Sequence, residues 1–259
     1  MSLKICSLSS GSAGNCVYVA SDTTRILIDA GAPLDRVEKS LRVLGAGNTG
    51  GLSVLITHTH ADHISQLAPL VKKTGAKVYA HHLSVPALPK RIGANCAEFD
   101  LAEFTIGDIS VTPFQVPHDV PCQGFTLRRR NRAISILTDF GEADESLINQ
   151  ISDSDILFIE ANHDEGLVQK GAYPCHLKRR ILSKNGHLSN ADCAKVCTRL
   201  LNHRARQIIL GHLSRENNYP ELAFNTVAGA LREAGAVEGK DVSLEVAPAA
   251  SMSGLYEVC

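Results

Sequence analysis

The sequence predicts one layered α/β domain spanning residues 1–259, and three observations carry that expectation. Short apolar runs that read as strands recur in both halves, with helix-spaced segments set among them. Side chains able to hold a metal follow the ends of those runs repeatedly, at Asp29, His58 to His63, His118, Asp139 and His212. At 259 residues, with 44% hydrophobic and 20% charged residues, the chain has enough material for a sizeable core.

Taken in order, Leu3 to Leu8, Val17 to Ala20 and Arg25 to Ile28 read as strands. Pro33 to Leu44 has helical spacing and opens on a proline, a good first-turn residue. Leu52 to Ile56 is a buried strand, Ile64 to Lys73 a helix, and Val78 to Ala80 a short strand that ends at His81 and His82, a pair able to bind metal but read here as lying on a surface loop. Alternating β pattern fills Cys96 to Val116, broken by a turn at Gly107 and Asp108. Gly124 to Arg128 and Ala133 to Thr138 form a hairpin. A helix at Glu142 to Gln150 and a strand at Ile156 to Ile159 lead into E-A-N-H-D. Pro174 to Ser183 is helical. Ser189 and Asp192 make a capping box before a helix at Ala191 to Leu201. A strand at Ile208 to Gly211, a helix from Pro220 to Ala234 stopped by Gly235, and a strand at Val242 to Val246 precede a tail of small residues.

Composition narrows the function classes. A formal net charge of −1 offers no global field for a polyanion, so nucleic-acid binding must rest on local patches. The N-terminus lacks a secretory pattern and no apolar run reaches membrane-spanning length, so a cytoplasmic protein without membrane association is expected. The eight cysteines make no C-x-x-C pair, and they read as free thiols of a reducing compartment. Cys193 and Cys197 read as a core-facing pair on one helix.

The densest chemistry lies in L-S-V-L-I-T-H-T-H-A-D-H-I, residues 52–64. His58, His60, Asp62 and His63 place three imidazoles and a carboxylate directly behind a buried strand. Imidazole and carboxylate are ligands that Zn, Mn and Fe share. Asp29, at the end of L-I-D, is a helix cap or a partner that orients a ligand histidine. The S-S-G-S-A-G-N loop at 9 to 15 is an ordinary tight turn or an anion-binding loop. Arginines 128, 129, 130 and 132 at the hairpin tip are a solvated cluster or a phosphate grip.

At this point the chain resembles the metallo-β-lactamase-fold hydrolases, through T-H-T-H-A-D-H at 57–63 and the later His118, Asp139 and His212. The resemblance spans nearly the whole chain and implies a four-layer αβ/βα sandwich with two divalent metal ions (Zn, Mn or Fe) at one edge of the sheets. It implies that His58, His60 and His118 hold one ion, that Asp62, His63 and His212 hold the other, and that Asp139 bridges them. G-H-L-S-R at 211–215 and G-H-L-S-N-A-D-C-A at 186–194 resemble the RNase Z branch, in which Glu160 and His187 match the residues that support catalysis and act as general acid. No long tRNA-gripping arm is present. The loop at 9–15, E-A-N-H-D and N-G-H-L-S-N look more like the YycJ/WalJ-type bacterial 5′-to-3′ exonucleases acting on double-stranded DNA. That likeness implies a metal-bridged hydroxide attacking phosphorus, with Asp62, Glu160 and His187 catalytic and Asp29 steadying a ligand histidine. Ser9, Ser10, Ser12 and Asn15 would hold a substrate phosphate, Arg128 to Arg132 or Lys178 to Arg180 the duplex backbone, and His163 is a substitute ligand.

Alternatives remain at this level: a phosphodiesterase for a small cyclic or nucleotide-like diester, or a glyoxalase II-like thioester hydrolase that would not need Glu160 and His187. A flavodiiron reductase would carry Glu in place of His60. A binding module with a structural metal would close its site with four ligands.

Overall fold

The computed structural model describes residues 2–201 and 203–259. Its strands are β1 (Leu3–Ser9), β2 (Cys16–Ala20), β3 (Arg25–Ile28), β4 (Leu52–Leu55), β5 (Lys77–His81), β6 (Ala97–Phe99), β7 (Phe104–Ile106), β8 (Ile109–Val116), β9 (Cys122–Arg129), β10 (Arg132–Leu137), β11 (Ile156–Glu160), β12 (Gln207–Gly211), β13 (Ser243–Val246) and β14 (Tyr256–Val258). The helices are α1 (Leu34–Val43), α2 (Ala61–Ile64), α3 (Leu67–Thr74), α4 (Lys90–Gly93), α5 (Glu145–Ile151), α6 (Glu165–Lys170), α7 (Cys175–Ile181), α8 (Asn190–Arg199) and α9 (Pro220–Glu233).

Two mixed sheets result, in the orders β14-β1-β2-β3-β4-β5-β6 and β13-β12-β11-β10-β9-β8-β7. β3 through β6 run parallel, as do β10 through β13. Parallel neighbours need a crossover, and helices supply most of them: α1 joins β3 to β4, α2 and α3 join β4 to β5, and α5 to α9 serve β10 to β13. Such sheets offer their strand C-termini to ligands. Asp29, Asp139, Glu160 and His212 all lie at or within two residues of such an end.

The chain divides into two compact units: residues 1–113, 127–132 and 248–259, and residues 114–126 and 133–247. In the first, Val37 and Leu41 of α1 and Leu67 and Leu70 of α3 bury against Leu27, Val54, Ile56 and Val78. In the second, Leu147 and Ile151 of α5, Cys193 and Cys197 of α8, and Val227 and Leu231 of α9 cover Leu157, Ile159, Ile208 and Leu210. In β11 and β12 the covered residues alternate, as the two-residue period of a strand requires, and the helical ones recur at three and four. The Cys193–Cys197 pair is therefore core, as expected.

Four expectations need correction. The helix read over Ile64 to Lys73 is two helices, because Gln66 N donates to Ala30 O (2.9 Å) and Ser65 Oγ to Gly31 O (3.2 Å), which breaks the run. His81 is not on a surface loop but is the buried last residue of β5. The tail contains β14, whose Tyr256 pairs with Ile5 of β1. The polar string after β11 continues into α6, where the Asp164 side chain accepts from Leu167 N (2.9 Å) as an N-cap. Of the expected capping box the N-cap half is present: Asp192 N donates to Ser189 Oγ (3.1 Å), while the Asp192 carboxylate accepts from that hydroxyl (2.9 Å).

Candidate active site

The first unit carries the dense motif, and backbone fit sets its position. Gly31 follows Asp29 and Ala30, and a Cβ there would lie 1.6 Å from Asp62 O, so only glycine lets this turn approach the His-rich segment. Ala30 N donates to His63 O (2.7 Å), and Asn15 N to Asp62 O (2.8 Å). The three segments thus interlock through main chain.

On that frame Asp29 acts as a hub. Its Oδ1 accepts from Thr57 N (2.8 Å), and its Oδ2 accepts from Thr57 Oγ1 (2.8 Å) and His63 Nδ1 (2.7 Å). With its own proton given to Asp29, the Thr57 hydroxyl accepts from His58 Nδ1 (3.0 Å). Both imidazoles therefore carry Nδ1–H and present a lone pair at Nε2, the tautomer that a metal needs. Asn15 Nδ2 stands 3.0 Å from His63 Nε2 and donates to Asp62 Oδ2 (3.2 Å). His60 adds a third ring, 4.7 Å from His58 between centroids.

The second unit repeats this device with a glutamate. Glu160, fully buried at the end of β11, accepts at Oε1 from His187 Nδ1 and His212 Nδ1, each at 2.8 Å. Its Oε2 accepts from Phe140 N (3.0 Å) and Leu188 N (3.4 Å). Burial alone would raise the Glu160 pKa, but the charge and hydrogen bond of His187 and the bond from His212 outweigh it and hold the group down to about 2. In return, and against its own burial, His187 is raised above the ordinary histidine range by Glu160. Donor atoms of Asp139, Glu160, His187 and His212 all lie within 4.8 Å of one another. His118 Nδ1 donates to Gly186 O (3.3 Å), and its Nε2 lies 3.2 Å from Asp119 Oδ1.

Both clusters suit a divalent metal ion: imidazoles with carboxylates beside them, and a buried carboxylate that orients His58 and His63 in one and His187 and His212 in the other. Backbone strain marks the same places. Among the described residues, four non-glycine positions have positive φ, and three of them are Asp29 (64°), Asp139 (61°) and His212 (54°). Strain held at strand ends beside such clusters is characteristic of functional sites.

Other expected residues fall differently. Asn15 does not stand ready for a phosphate: its amide nitrogen faces Asp62 and His63, and its Oδ1 accepts from Gly11 N (2.8 Å). Ser9 Oγ donates to Ala249 O (2.8 Å) and accepts from Arg36 Nη1 (3.0 Å). Ser10 is buried, and Ser12 is exposed. In the arginine hairpin, Arg129 is held by Asp22 (3.1 Å) and Asp108 (2.7 Å), which makes it a structural ion pair. His163 is buried in the second unit, and burial holds its pKa down to about 4. His81, His82 and Asp100 cluster as well, yet Leu83 N donates to His81 Nδ1, so that ring keeps its proton on Nε2, toward Asp100. Thr57, which nothing in the residue pattern had singled out, is the missed member. Its signal was a hydroxyl directly before the first motif histidine.

A β-lactamase superfamily domain matches residues 24–213. Over 242 residues the chain is 35% identical to the exodeoxyribonuclease WalJ of Streptococcus pneumoniae, covering 90% of each. It is 34% identical over 241 residues to the exodeoxyribonuclease YycJ of Bacillus anthracis, covering 91% of each. The crystal structure of the metallo-β-lactamase fold protein YhfI from Bacillus subtilis aligns over all of both chains, with a TM-score of 0.74 and 17% identity. Fold and donor clusters together define a metal-dependent hydrolase. The chain belongs to the β-lactamase superfamily and has its α/β metallo-β-lactamase fold.

Proposed function

We propose that the protein is a nuclease that removes nucleotides from the 5′ ends of double-stranded DNA, using two divalent ions. One observation carries the reading: the Glu160–His187 hydrogen bond at 2.8 Å, in a chain about a third identical to two exodeoxyribonucleases across nine tenths of its length. Thioester hydrolysis has no use for such a pair, whereas expulsion of an alkoxide from a phosphodiester does.

In this reading His58, His60 and His118 hold one ion, Asp62, His63 and His212 the other, and Asp139 serves both. Bound there, divalent ions would acidify a water molecule and offset charge on the attacked phosphate. Asp29 keeps His63 in the right tautomer directly, and His58 through Thr57. Glu160 does the same for His212. His187 is the proton donor to the leaving oxygen. Its side chain is 16% exposed whereas that of Glu160 is 0%, so the histidine reaches the substrate and the glutamate supports it from behind. Against its burial, the charge and hydrogen bond of Glu160 raise the His187 pKa, which favours the protonated donor form. Ser10 and Ser12 remain the candidates for a terminal phosphate.

The test is digestion of a 5′-phosphorylated linear duplex by protein supplied with Mn²⁺, with EDTA and Asp62→Ala as controls. The expected result is loss of nucleotides from the 5′ end, absent from both controls. Intact DNA beside turnover of a small diester would sink the nuclease reading and leave a small-molecule phosphodiesterase.

A further inference from the structure

From Gly166 to Ala191 the chain has no acidic residue, yet it carries Lys170, Lys178, Arg179, Arg180 and Lys184. In a protein of net charge −1 this is a concentrated basic tract. It ends at α8, and its centre is α7, directly before His187.

The tract is fastened to candidate site residues within its own unit. Arg180 donates from Nε (2.8 Å) and Nη2 (2.5 Å) to Asp119, the neighbour of His118. His187 N donates to Ile181 O (3.1 Å) and Gly186 N to Ser183 O (2.9 Å), so the last turn of α7 runs straight into the segment holding the proton donor. A Cβ on Gly186 would lie 2.2 Å from Arg180 O, which shows how closely that turn is folded back.

Within this frame the cations divide. Arg180 is committed to Asp119, and Lys184 pairs with Glu142 (2.9 Å). Lys178 Nζ donates to a carbonyl, Gln169 O (2.7 Å), and among the described residues has no carboxylate partner. Arg179 and Lys170 are exposed, and among the described residues neither has a carboxylate partner.

We propose that Lys170, Lys178 and Arg179 form the surface that holds the phosphate backbone of the duplex beside the cutting site. The inference rests on the nuclease reading, and it assigns affinity for long substrate to a tract outside the metal ligands. Contacts of this kind position the nucleic acid without reading its sequence, and each neutralised phosphate contributes about −0.9 to the slope of log affinity against log salt.

The test is binding of a fluorescent 24-base-pair duplex in EDTA, followed by anisotropy across a salt series, for wild type and the Lys178→Ala/Arg179→Ala variant. Turnover of bis(p-nitrophenyl) phosphate with Mn²⁺ runs in parallel. The expected result is about 10-fold or more weaker binding at moderate salt and a slope smaller by about 2, with small-diester turnover unchanged. Restoration by Lys178→Arg/Arg179→Lys supports charge rather than shape. A Lys39→Ala/Lys72→Ala variant, which loses the same charge elsewhere, is expected to bind as wild type. An unchanged slope, an equal loss in that second variant, or equally tight binding of polyglutamate would overturn the proposal. A wild type that binds duplex through this tract but cuts no DNA with Mn²⁺ would instead remove the nuclease reading.

Discussion

Two buried carboxylates, Asp29 in the first unit and Glu160 in the second, each orient two histidines, but they are built in opposite ways. Asp29 serves His58 and His63, five residues apart in one motif, and reaches the nearer one through the Thr57 hydroxyl. Glu160 serves His187 and His212, which arrive from different segments, and bonds both directly with a single oxygen. The first serves two neighbouring histidines, one directly and one through a relay; the second gathers two distant histidines and bonds both directly. Relays can be cut at an intermediate atom, whereas a shared oxygen fails for both partners at once.

The largest effect should therefore come from Glu160→Gln. The amide places a donor against the N–H groups of Phe140 and Leu188, or turns it toward the two histidines, and either orientation spoils the arrangement. Turnover of a small diester is expected to fall by about 10² to 10⁴, the range for a lost general acid. A loss below 10-fold would mean that the two histidines do not depend on this oxygen.

A smaller effect sharpens the contrast. Asp29→Asn is expected to weaken metal affinity by about 10 to 100-fold, read by competition with a coloured chelator. Thr57→Val, which cuts only the branch to His58, should cost less, and Thr57→Ser should restore it. Equal losses in the Asn and Val variants would contradict a relay with two branches.

The smallest effect concerns stability and sets His163 apart from both hubs. Burial lowers its pKa from 6.5 to about 4, so the unfolded chain takes up the proton first. That contribution is complete above about pH 6.5 and is lost as the pH falls toward 4, by roughly 2 kcal/mol between pH 7 and 5. Urea unfolding of metal-free protein at those two values should show the decline, and His163→Gln should flatten it. An unchanged decline in the variant would assign it to other groups.

The same contrast explains what the residues disclosed in advance. The first cluster was legible because its donors are consecutive and follow an apolar run, so periodicity placed them at a strand end. Asp29 was readable for a similar reason. The bond from His212 to Glu160 was not, since it depends on the register of β11 with β12, where Glu160 pairs with Gly211. Asn15 was misassigned because a serine–glycine loop looks alike whether its amide faces a bound phosphate or the chain's own carboxylate. The contacts of its amide nitrogen with Asp62 Oδ2 and His63 Nε2 decide. The strand β14 was hidden because three residues carry too little periodicity; pairing with β1 creates it.

The left-handed backbone at Asp139 and His212 has a consequence for anyone who selects this protein by heat resistance alone. Glycine adopts such a conformation without the steric penalty that a side chain brings. In the proposed reading these two residues hold the ions, so the easier backbone and the donor exclude each other there, and survival of heating and retention of chemistry pull in opposite directions. Enrichment for robust folds would tend to collect variants that have lost the ability to hold the ion, and a screen has to read turnover to keep them out.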